Sequence, residues 1–196
     1  MKKIEFWYSI GSTYTYLSTQ RLKQVEANNN VVFEWFPFSV RARMIEMENV
    51  PFMAEKKRQK IDYMWRDVQR RAKLYGFEAK TPAPYPLKEF DLANKIAILG
   101  KKEGWIKEYT KLTYKKWFLE HLEPGLDPNL SETLKELGLD REKVLKEANS
   151  NEIEDNYLQN TEMAKNKGIF GSPTFIYENE VFWGDDRCED AIKWSP

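Results

Sequence analysis

The stretch Ile4-Glu5-Phe6-Trp7-Tyr8-Ser9-Ile10, followed at once by Gly11-Ser12-Thr13-Tyr14-Thr15-Tyr16-Leu17, decides how the rest of the chain is interpreted. The first seven residues are mostly apolar and aromatic, which predicts a buried β-strand. After Gly11 the pattern becomes that of a helix, for which Ser12 or Thr13 can supply the N-cap. The chain therefore begins with a strand, a tight turn and the start of a helix.

A second strand is predicted soon after this helix. Asn28-Asn29-Asn30 ends the helix, and the run from Val31 to Phe38 follows it. This run is apolar on both faces, which suits an interior position in a parallel sheet. Residues 4–38 therefore form a predicted β-α-β unit.

The middle of the chain is predicted to be helical. From about Arg43 to Ala148, candidate helices cover 52–75, 88–103, 105–121, 130–137 and 140–148. A further helix at about 151–167 precedes two short strands, Thr174 to Tyr177 and Glu180 to Trp183. The turn at Glu178-Asn179 joins these strands into a hairpin, and a short terminal helix begins near Asp185.

The run Phe170-Gly171-Ser172-Pro173-Thr174-Phe175 looks like the second half of the site that the opening motif begins. Thioredoxin-like redox proteins place a Cys-x-x-Cys pair after the first strand and a cis-proline turn late in the chain. Here Ser12 and Thr15 hold the two cysteine positions. We predict an α/β, thioredoxin-like fold with an inserted all-helical domain: residues 1–42 and 149–196 form the thioredoxin-like domain, and 43–148 the insertion.

Composition excludes several classes of protein. The 196 residues carry 31 basic and 31 acidic side chains with no dominant basic tract, which argues against nucleic acid or an anionic membrane as the partner. The single cysteine, Cys188, cannot form an intramolecular disulfide and fits a reducing compartment. With no apolar signal or spanning segment, the expected location is the cytoplasm. No His/Cys cluster at ligand spacing predicts a metal site, and no Walker or Gly-x-Gly-x-x-Gly loop predicts a nucleotide site.

Ser12 is the first candidate site residue. A hydroxyl at a helix N-terminus can donate a hydrogen bond to a thiolate, which lowers the pKa of the thiol from about 8.5 toward neutrality. Serine itself is a poor nucleophile without an adjacent base. This pattern therefore points to a bound thiol cofactor, while the simpler alternative is an N-cap serine worth about 1 kcal/mol.

The second and third candidates lie near the C-terminus. The backbone of Ser172, before Pro173, can pair with a peptide-like ligand as an added strand; the alternative is a plain strand-entry proline. In Trp183-Gly184-Asp185-Asp186 the aspartates either cap the terminal helix or receive an ammonium group. Lys60 shares a helix face with Tyr63 and is a weaker candidate, since most lysines face solvent. Cys188 is interpreted as structural rather than reactive.

Several stretches together resemble a known family. They are Phe6 to Leu17, Lys60-Ile61-Asp62-Tyr63, Asp67-Val68-Gln69-Arg70, Leu74-Tyr75-Gly76, Phe170 to Thr174 and Trp183 to Arg187. In order and spacing they resemble the 2-hydroxychromene-2-carboxylate isomerases, relatives of kappa-class glutathione transferases and of DsbA-like oxidoreductases. The chain departs from that pattern at Thr13, where proline is common, at Ala54, where asparagine is frequent, and at Ser9, where some members have aspartate.

The resemblance implies glutathione as the cofactor and usually a homodimer. By that resemblance Ser12 faces the glutathione sulfur, Ser172 beside Pro173 pairs with the peptide backbone, and Lys60 approaches the glycyl carboxylate. The loop of Trp183, Gly184, Asp185 and Asp186 holds the γ-glutamyl end.

The resulting functional hypothesis is a glutathione-dependent isomerase acting on a small aromatic molecule. Reversible thiolate addition to a conjugated aromatic carboxylate, followed by elimination, would be the reaction. Arg41 or Arg43 would meet the substrate carboxylate. Two alternatives stay open: a kappa-like glutathione transferase, and a non-catalytic thioredoxin-fold binding protein.

Overall fold

The structure, a computed structural model, describes residues 1–49 and 57–194. In chain order the elements are β1 (Lys2–Tyr8), α1 (Thr15–Asn28), β2 (Val31–Pro37), α2 (Val40–Glu46), α3 (Arg58–Leu74), α4 (Phe90–Glu103), α5 (Ile106–Glu120), α6 (Asn129–Glu136), α7 (Arg141–Ala148), α8 (Asn151–Asn166), β3 (Thr174–Tyr177), β4 (Glu180–Trp183) and α9 (Cys188–Lys193). A 3-10 turn at Asp185–Arg187 leads into α9. The predicted α/β, thioredoxin-like fold with helices inserted between its two parts is confirmed.

The four strands form one mixed sheet in the order β2-β1-β3-β4. β1 runs parallel to β2, with Phe6 opposite Trp35, and antiparallel to β3, with Phe6 opposite Phe175. β3 and β4 form the antiparallel hairpin that the sequence predicts, with the predicted residue bounds. The sheet brings the turn after β1 close to the turn before β3, where the candidate site lies.

The position of β2 differs from the prediction. It pairs in parallel with β1, as expected, but it is an edge strand and not an interior one. Helices α1, α4 and α8 pack against it, so its faces are covered even though one edge has no partner strand among the described residues. The apolar pattern of Val31 to Phe38 arises because helices cover both faces of β2. A central strand is covered in the same way, so the pattern alone does not distinguish the two positions.

The helices between β2 and α8 pack directly on the sheet and on α1. Tyr16 of α1 stacks on Phe118 of α5 with ring centroids 4.1 Å apart. The Tyr8 hydroxyl at the end of β1 lies 2.7 Å from the Thr110 hydroxyl of α5, in the buried core. One continuous cluster of buried apolar side chains therefore extends from the sheet into the helical segment.

Two side chains of the helical segment fix the turn after β1. Asn94 of α4 is buried; its amide oxygen accepts from the Ile10 N–H at 2.8 Å, and its amide nitrogen donates to the Ile10 carbonyl at 2.9 Å. The Tyr114 hydroxyl of α5 lies 2.9 Å from the Ser9 carbonyl oxygen and 3.0 Å from that of Ser12. These bonds satisfy backbone groups that a buried turn would otherwise leave without partners.

Gly11 is required in this turn. Its φ of +132° is a conformation that side-chain-bearing residues rarely adopt, and a Cβ there would lie 2.5 Å from the ring of Phe90. The tight approach of the turn to α4 therefore depends on the missing side chain.

Several predicted bounds shift. β1 covers residues 2–8 rather than 4–10, because Ser9 and Ile10 already belong to the turn. Helix α2 was not predicted; Ser39 caps it by accepting from the Ala42 N–H at 3.2 Å. The predicted helix 52–75 corresponds to α3, and its first residues, 52–56, lie outside the described part of the chain. In the described residues, no helix has the length and apolar character needed to cross a membrane.

Candidate functional site

Ser12 lies in the turn between β1 and α1, three residues before the helix begins at Thr15. The prediction that Ser12 or Thr13 caps α1 is wrong: the N-cap residue is Tyr14, and no side chain caps the helix. Thr13 instead donates its hydroxyl proton to the sulfur of Met64 at 3.1 Å. The Ser12 hydroxyl therefore does not cap α1, the structural role that the sequence suggested for it.

The Ser12 hydroxyl joins the two halves of the predicted site. It donates to the backbone carbonyl of Ser172 at 2.6 Å, across 160 residues of sequence. The Ser172 hydroxyl accepts from the Ser9 N–H at 2.9 Å and lies 2.9 Å from the Thr15 hydroxyl. The Ser172–Pro173 peptide bond is cis. Three hydroxyl groups thus surround the point where thioredoxin-like redox proteins hold their cysteines.

A cleft of about 260 Å³ opens beside this cluster. Six of the sequence-predicted residues line it: Ser172, Pro173, Trp183, Gly184, Asp185 and Asp186. Ser12 is half-buried and bonded to one of these lining residues. The structure therefore brings together at one cleft segments that the sequence separates by more than a hundred residues.

Trp183 forms an exposed wall of the cleft. Its side chain is 54% exposed and packs edge-on against Phe170 with ring centroids 4.9 Å apart. A Cβ at Gly171 would lie 2.2 Å from the indole nitrogen of Trp183, so only glycine allows this close approach. Gly184 follows with a φ of +114° and turns the chain toward the aspartates.

Asp185 lacks one of its two predicted roles. It does not cap the terminal helix; it is 2% exposed and forms an ion pair with Arg21 of α1, Nε to Oδ1 at 3.0 Å. The Ser18 hydroxyl donates to the same Oδ1 at 2.8 Å, and Arg21 also donates to the Asp185 carbonyl at 2.6 Å. Although burial opposes it, the neighbouring carboxylates of Asp185 and Glu189 raise the pKa of Arg21. A buried charge is tolerated here because it is paired and hydrogen-bonded.

The other carboxylate oxygen of Asp185 has no hydrogen-bond partner among the described residues. Its nearest cation is Arg71 of α3, whose Nη2 lies 3.8 Å away. Arg71 donates to the Tyr75 hydroxyl at 2.5 Å. The buried Nε of Arg71 has no hydrogen-bond partner among the residues that the structure describes. Burial and then the charge of Asp185 raise the pKa of Tyr75 to about 12. A carboxylate and a guanidinium with unused hydrogen-bonding capacity thus occupy one end of the cleft.

Sequence reasoning gave no site role to four lining residues, Tyr14, Tyr63, Asp67 and Arg71. The Tyr14 hydroxyl donates to the Asp67 carboxylate at 3.0 Å, and burial together with that carboxylate raises the pKa of Tyr14 well above its usual value. Tyr14 therefore stays protonated at neutral pH. The spacing of four between residues 63, 67 and 71 places them on one face of α3, a signal that could have been used.

The remaining candidates lie elsewhere. Lys60 is exposed at the start of α3, one helical turn before Tyr63, and does not line the cleft. Arg43 is buried, donates to the Ile169 carbonyl at 3.3 Å and pairs with Glu46, so it is engaged away from the cleft. Arg41 is exposed at the start of α2. Ala54 lies outside the described residues.

Cys188 is fully buried at the start of α9, and burial raises the pKa of its thiol far above the usual range. We expect a thiol reagent such as DTNB to label it very slowly in the folded protein, because the thiolate is the reactive form. After unfolding in guanidinium, the same protein should react rapidly with one equivalent of reagent. Stoichiometric labelling of the native protein within minutes would contradict the structural role of this cysteine.

The fold and the site together define a protein of the thioredoxin class whose dithiol positions carry hydroxyl groups. A family model described as a DSBA-like thioredoxin domain matches residues 3–192, and the chain belongs to this DsbA-like family. The predicted resemblance to the 2-hydroxychromene-2-carboxylate isomerases is also confirmed. The chain is 25% identical to the enzyme of that name from Pseudomonas putida over 184 residues, 94% of this chain and 89% of the relative. The one from Sphingobium xenophagum is 22% identical over 188 residues, 96% and 95% of the two chains.

Solved structures agree with these relationships. A 2-hydroxychromene-2-carboxylate isomerase superposes with a TM-score of 0.84 at 25% identity, covering 96% of this chain and 91% of the other. The cytosolic disulfide reductase DsbM from Pseudomonas aeruginosa shares the fold, with a TM-score of 0.62 at 12% identity over 91% and 87% of the two chains.

Proposed function

We propose that this chain is a glutathione-dependent isomerase of the 2-hydroxychromene-2-carboxylate isomerase type. Its similarity over nearly the whole length to isomerases of that name supports the reaction class. The hydrogen bond from Ser12 to the Ser172 carbonyl carries the proposal for the site. It places a partly accessible hydroxyl where a cysteine would stand, next to the cleft that Ser172 and Pro173 line.

The residues of the cleft fit glutathione in two respects. First, the N–H of Ser172 has no hydrogen-bond partner among the described residues, and it lies beside the cleft, available to a peptide carbonyl. Second, the carboxylates of Asp185 and Asp186 and the guanidinium of Arg71 line one end of the cleft, and these charges suit the ammonium and carboxylate of an amino-acid head group. The γ-glutamyl end of glutathione carries both groups. We assign it to the end of the cleft formed by Asp185, Asp186 and Arg71.

The chain's own contribution to the reaction is electrostatic. Glutathione, when bound, would supply a thiol that acts as a nucleophile toward a conjugated aromatic carboxylate. Ser12 can rotate its hydroxyl from the Ser172 carbonyl toward a thiolate and donate a hydrogen bond that favours the anion. The positive end of α1 begins three residues later and adds to this preference. Tyr14 lines the cleft as a neutral, protonated phenol, so it adds no negative charge that would repel the thiolate.

The decisive experiment measures isomerisation of 2-hydroxychromene-2-carboxylate with and without glutathione. We expect turnover only when glutathione is present, with the glutathione recovered unchanged at the end. A stable glutathione conjugate as the product would replace this proposal with a kappa-like transferase. If calorimetry detects no binding of glutathione at millimolar concentration, the proposal fails. The remaining alternative is then a non-catalytic thioredoxin-fold protein that binds some other partner.

A further inference from the structure

A second and larger cavity lies along another face of α3. It is an open groove of about 810 Å³ between the C-terminal half of α3 and the segment 76–81, with His121 at the end of α5 beside it. Arg66, Arg70 and Lys73 of α3 line one side, at a spacing that places them on one helix face. Lys80 lines the opposite side. Four basic side chains therefore line the groove.

These cations are poorly neutralised within the described residues. Arg70 has a carboxylate partner, Asp67 at 3.2 Å, whereas Arg66 bonds only to the amide oxygen of Gln69 at 2.6 Å. The ammonium groups of Lys73 and Lys80 form no ion pair or hydrogen bond with any of the described residues. Glu78 supplies the only acidic side chain in the described lining. Because the whole chain has no net charge, this local excess of positive charge is a distinct feature.

Buried basic side chains outside the groove, by contrast, are paired with carboxylates. Arg21 is paired with Asp185 at 3.0 Å, and Lys116 with Glu132 at 3.3 Å. A concave surface with charge of one sign focuses the electrostatic potential and raises the local concentration of a ligand of the opposite sign. The groove therefore favours an anion with several charges, since four basic side chains line it.

An apolar wall completes the groove. Phe77 is partly buried, packs edge-on against Tyr16 with ring centroids 5.7 Å apart, and lines the groove next to the buried Ala79. Phe77 is also held by Tyr75, with ring centroids 6.2 Å apart. It lines the same groove as the guanidinium groups, so the groove offers a contact for a planar ring in addition to contacts for phosphate oxygens. The volume lies within the range of small-molecule sites, about 300–1,000 Å³.

From this combination we propose that the groove binds a nucleotide, that is, a small molecule with a polyphosphate and a planar ring. The guanidinium groups of Arg66 and Arg70 match phosphate oxygens in a fork-like geometry, and Lys73 and Lys80 add point charges on both sides. The groove and the proposed glutathione cleft share no lining residue. They adjoin at Arg70, which pairs with Asp67 of the cleft, whereas Lys73 and Lys80 have no such contact with it among the described residues. Nucleotide binding and glutathione binding can therefore be tested independently.

The test is a calorimetric titration at low ionic strength with ATP, tripolyphosphate and adenosine as separate probes. We expect ATP to bind most tightly, tripolyphosphate more weakly and adenosine weakest. The double variant Lys73→Glu/Lys80→Glu should weaken ATP binding by at least about 10-fold, since hydrogen bonds to charged groups are lost. Both lysines are exposed, so the fold should be preserved, which circular dichroism can verify.

The matched control is Lys23→Glu/Lys146→Glu, which makes the same change in net charge at exposed positions outside the groove. It should leave ATP binding unchanged, and both double variants should bind glutathione as the unaltered protein does. The proposal is overturned if ATP shows no saturable binding, or if the control pair weakens it equally. If adenosine binds as tightly as ATP, the proposed role of the basic side chains is wrong. If tripolyphosphate binds as tightly as ATP, the proposed role of the planar ring is wrong.

Discussion

Replacement of Ser12 by alanine is expected to lower the rate of glutathione-dependent isomerisation by about 10²–10³-fold. On the proposed function, Ser12 supplies the side-chain hydrogen bond that favours a thiolate, and removal of one well-placed donor to an anion has an effect of this size. The Ser12→Ala protein should still fold. It loses one hydrogen bond, to the Ser172 carbonyl, a contribution of about 1 kcal/mol.

Two measurements separate a role at the sulfur from a general disturbance of the turn. The ultraviolet absorption of the thiolate should show less ionised glutathione at neutral pH on Ser12→Ala than on the unaltered protein. The control is Thr13→Val, which removes the adjacent hydroxyl while keeping its shape; that hydroxyl faces Met64 rather than the cleft. If Thr13→Val lowers the rate as much as Ser12→Ala, the assignment of Ser12 fails.

Replacement of Arg21 by leucine is expected to reduce the free energy of unfolding by about 3–5 kcal/mol. The Asp185 carboxylate would be left in the interior with only the Ser18 hydroxyl at 2.8 Å and the more distant Arg71 at 3.8 Å. A buried charge that has lost its partner is far more costly than an ion pair lost from the surface. The measurement is denaturant-induced unfolding at neutral pH.

The control variant for this prediction is Arg187→Leu. Arg187 is half exposed and pairs with Asp190 at 2.7 Å on the surface, so its loss should change stability far less. A double variant, Arg21→Leu with Asp185→Asn, distinguishes charge from packing, because the amide removes the buried charge at nearly constant shape. Recovery of part of the lost stability is expected. A double variant no more stable than Arg21→Leu would show that packing, not the unpaired carboxylate, accounts for the loss.

The sequence was sufficient for the elements whose ends carry strong local signals. The hairpin strands at 174–177 and 180–183 were predicted to the residue, because Pro173 and the Glu178-Asn179 turn bound two short aromatic and β-branched runs. Helix α4 ends at Glu103 as predicted, before Gly104, which adopts a φ of +89°. Short α2 was missed because seven residues show too little periodicity.

The parts of the site that the sequence could not predict depend on long-range packing. Ser12 looked like a helix cap because local sequence cannot show that α1 starts only at Thr15. The pairing of Arg21 with Asp185 gave no signal in the sequence, since the two residues are 164 positions apart. The spacing of Tyr63, Asp67 and Arg71 places them on one face of α3, but local sequence cannot show that this face meets the loop after β4.

The bonds from Asn94 and Tyr114 to the turn after β1 have a consequence for engineering. Helices α4 and α5 supply these two side chains, so they are part of the support for the hydroxyl-bearing loop. An exchange of these helices with those of a relative, made to alter substrate range, would also move Ser12 unless both side chains were retained. Libraries that hold these two positions constant should therefore keep more members in which the turn holds Ser12 in place than libraries that randomise them.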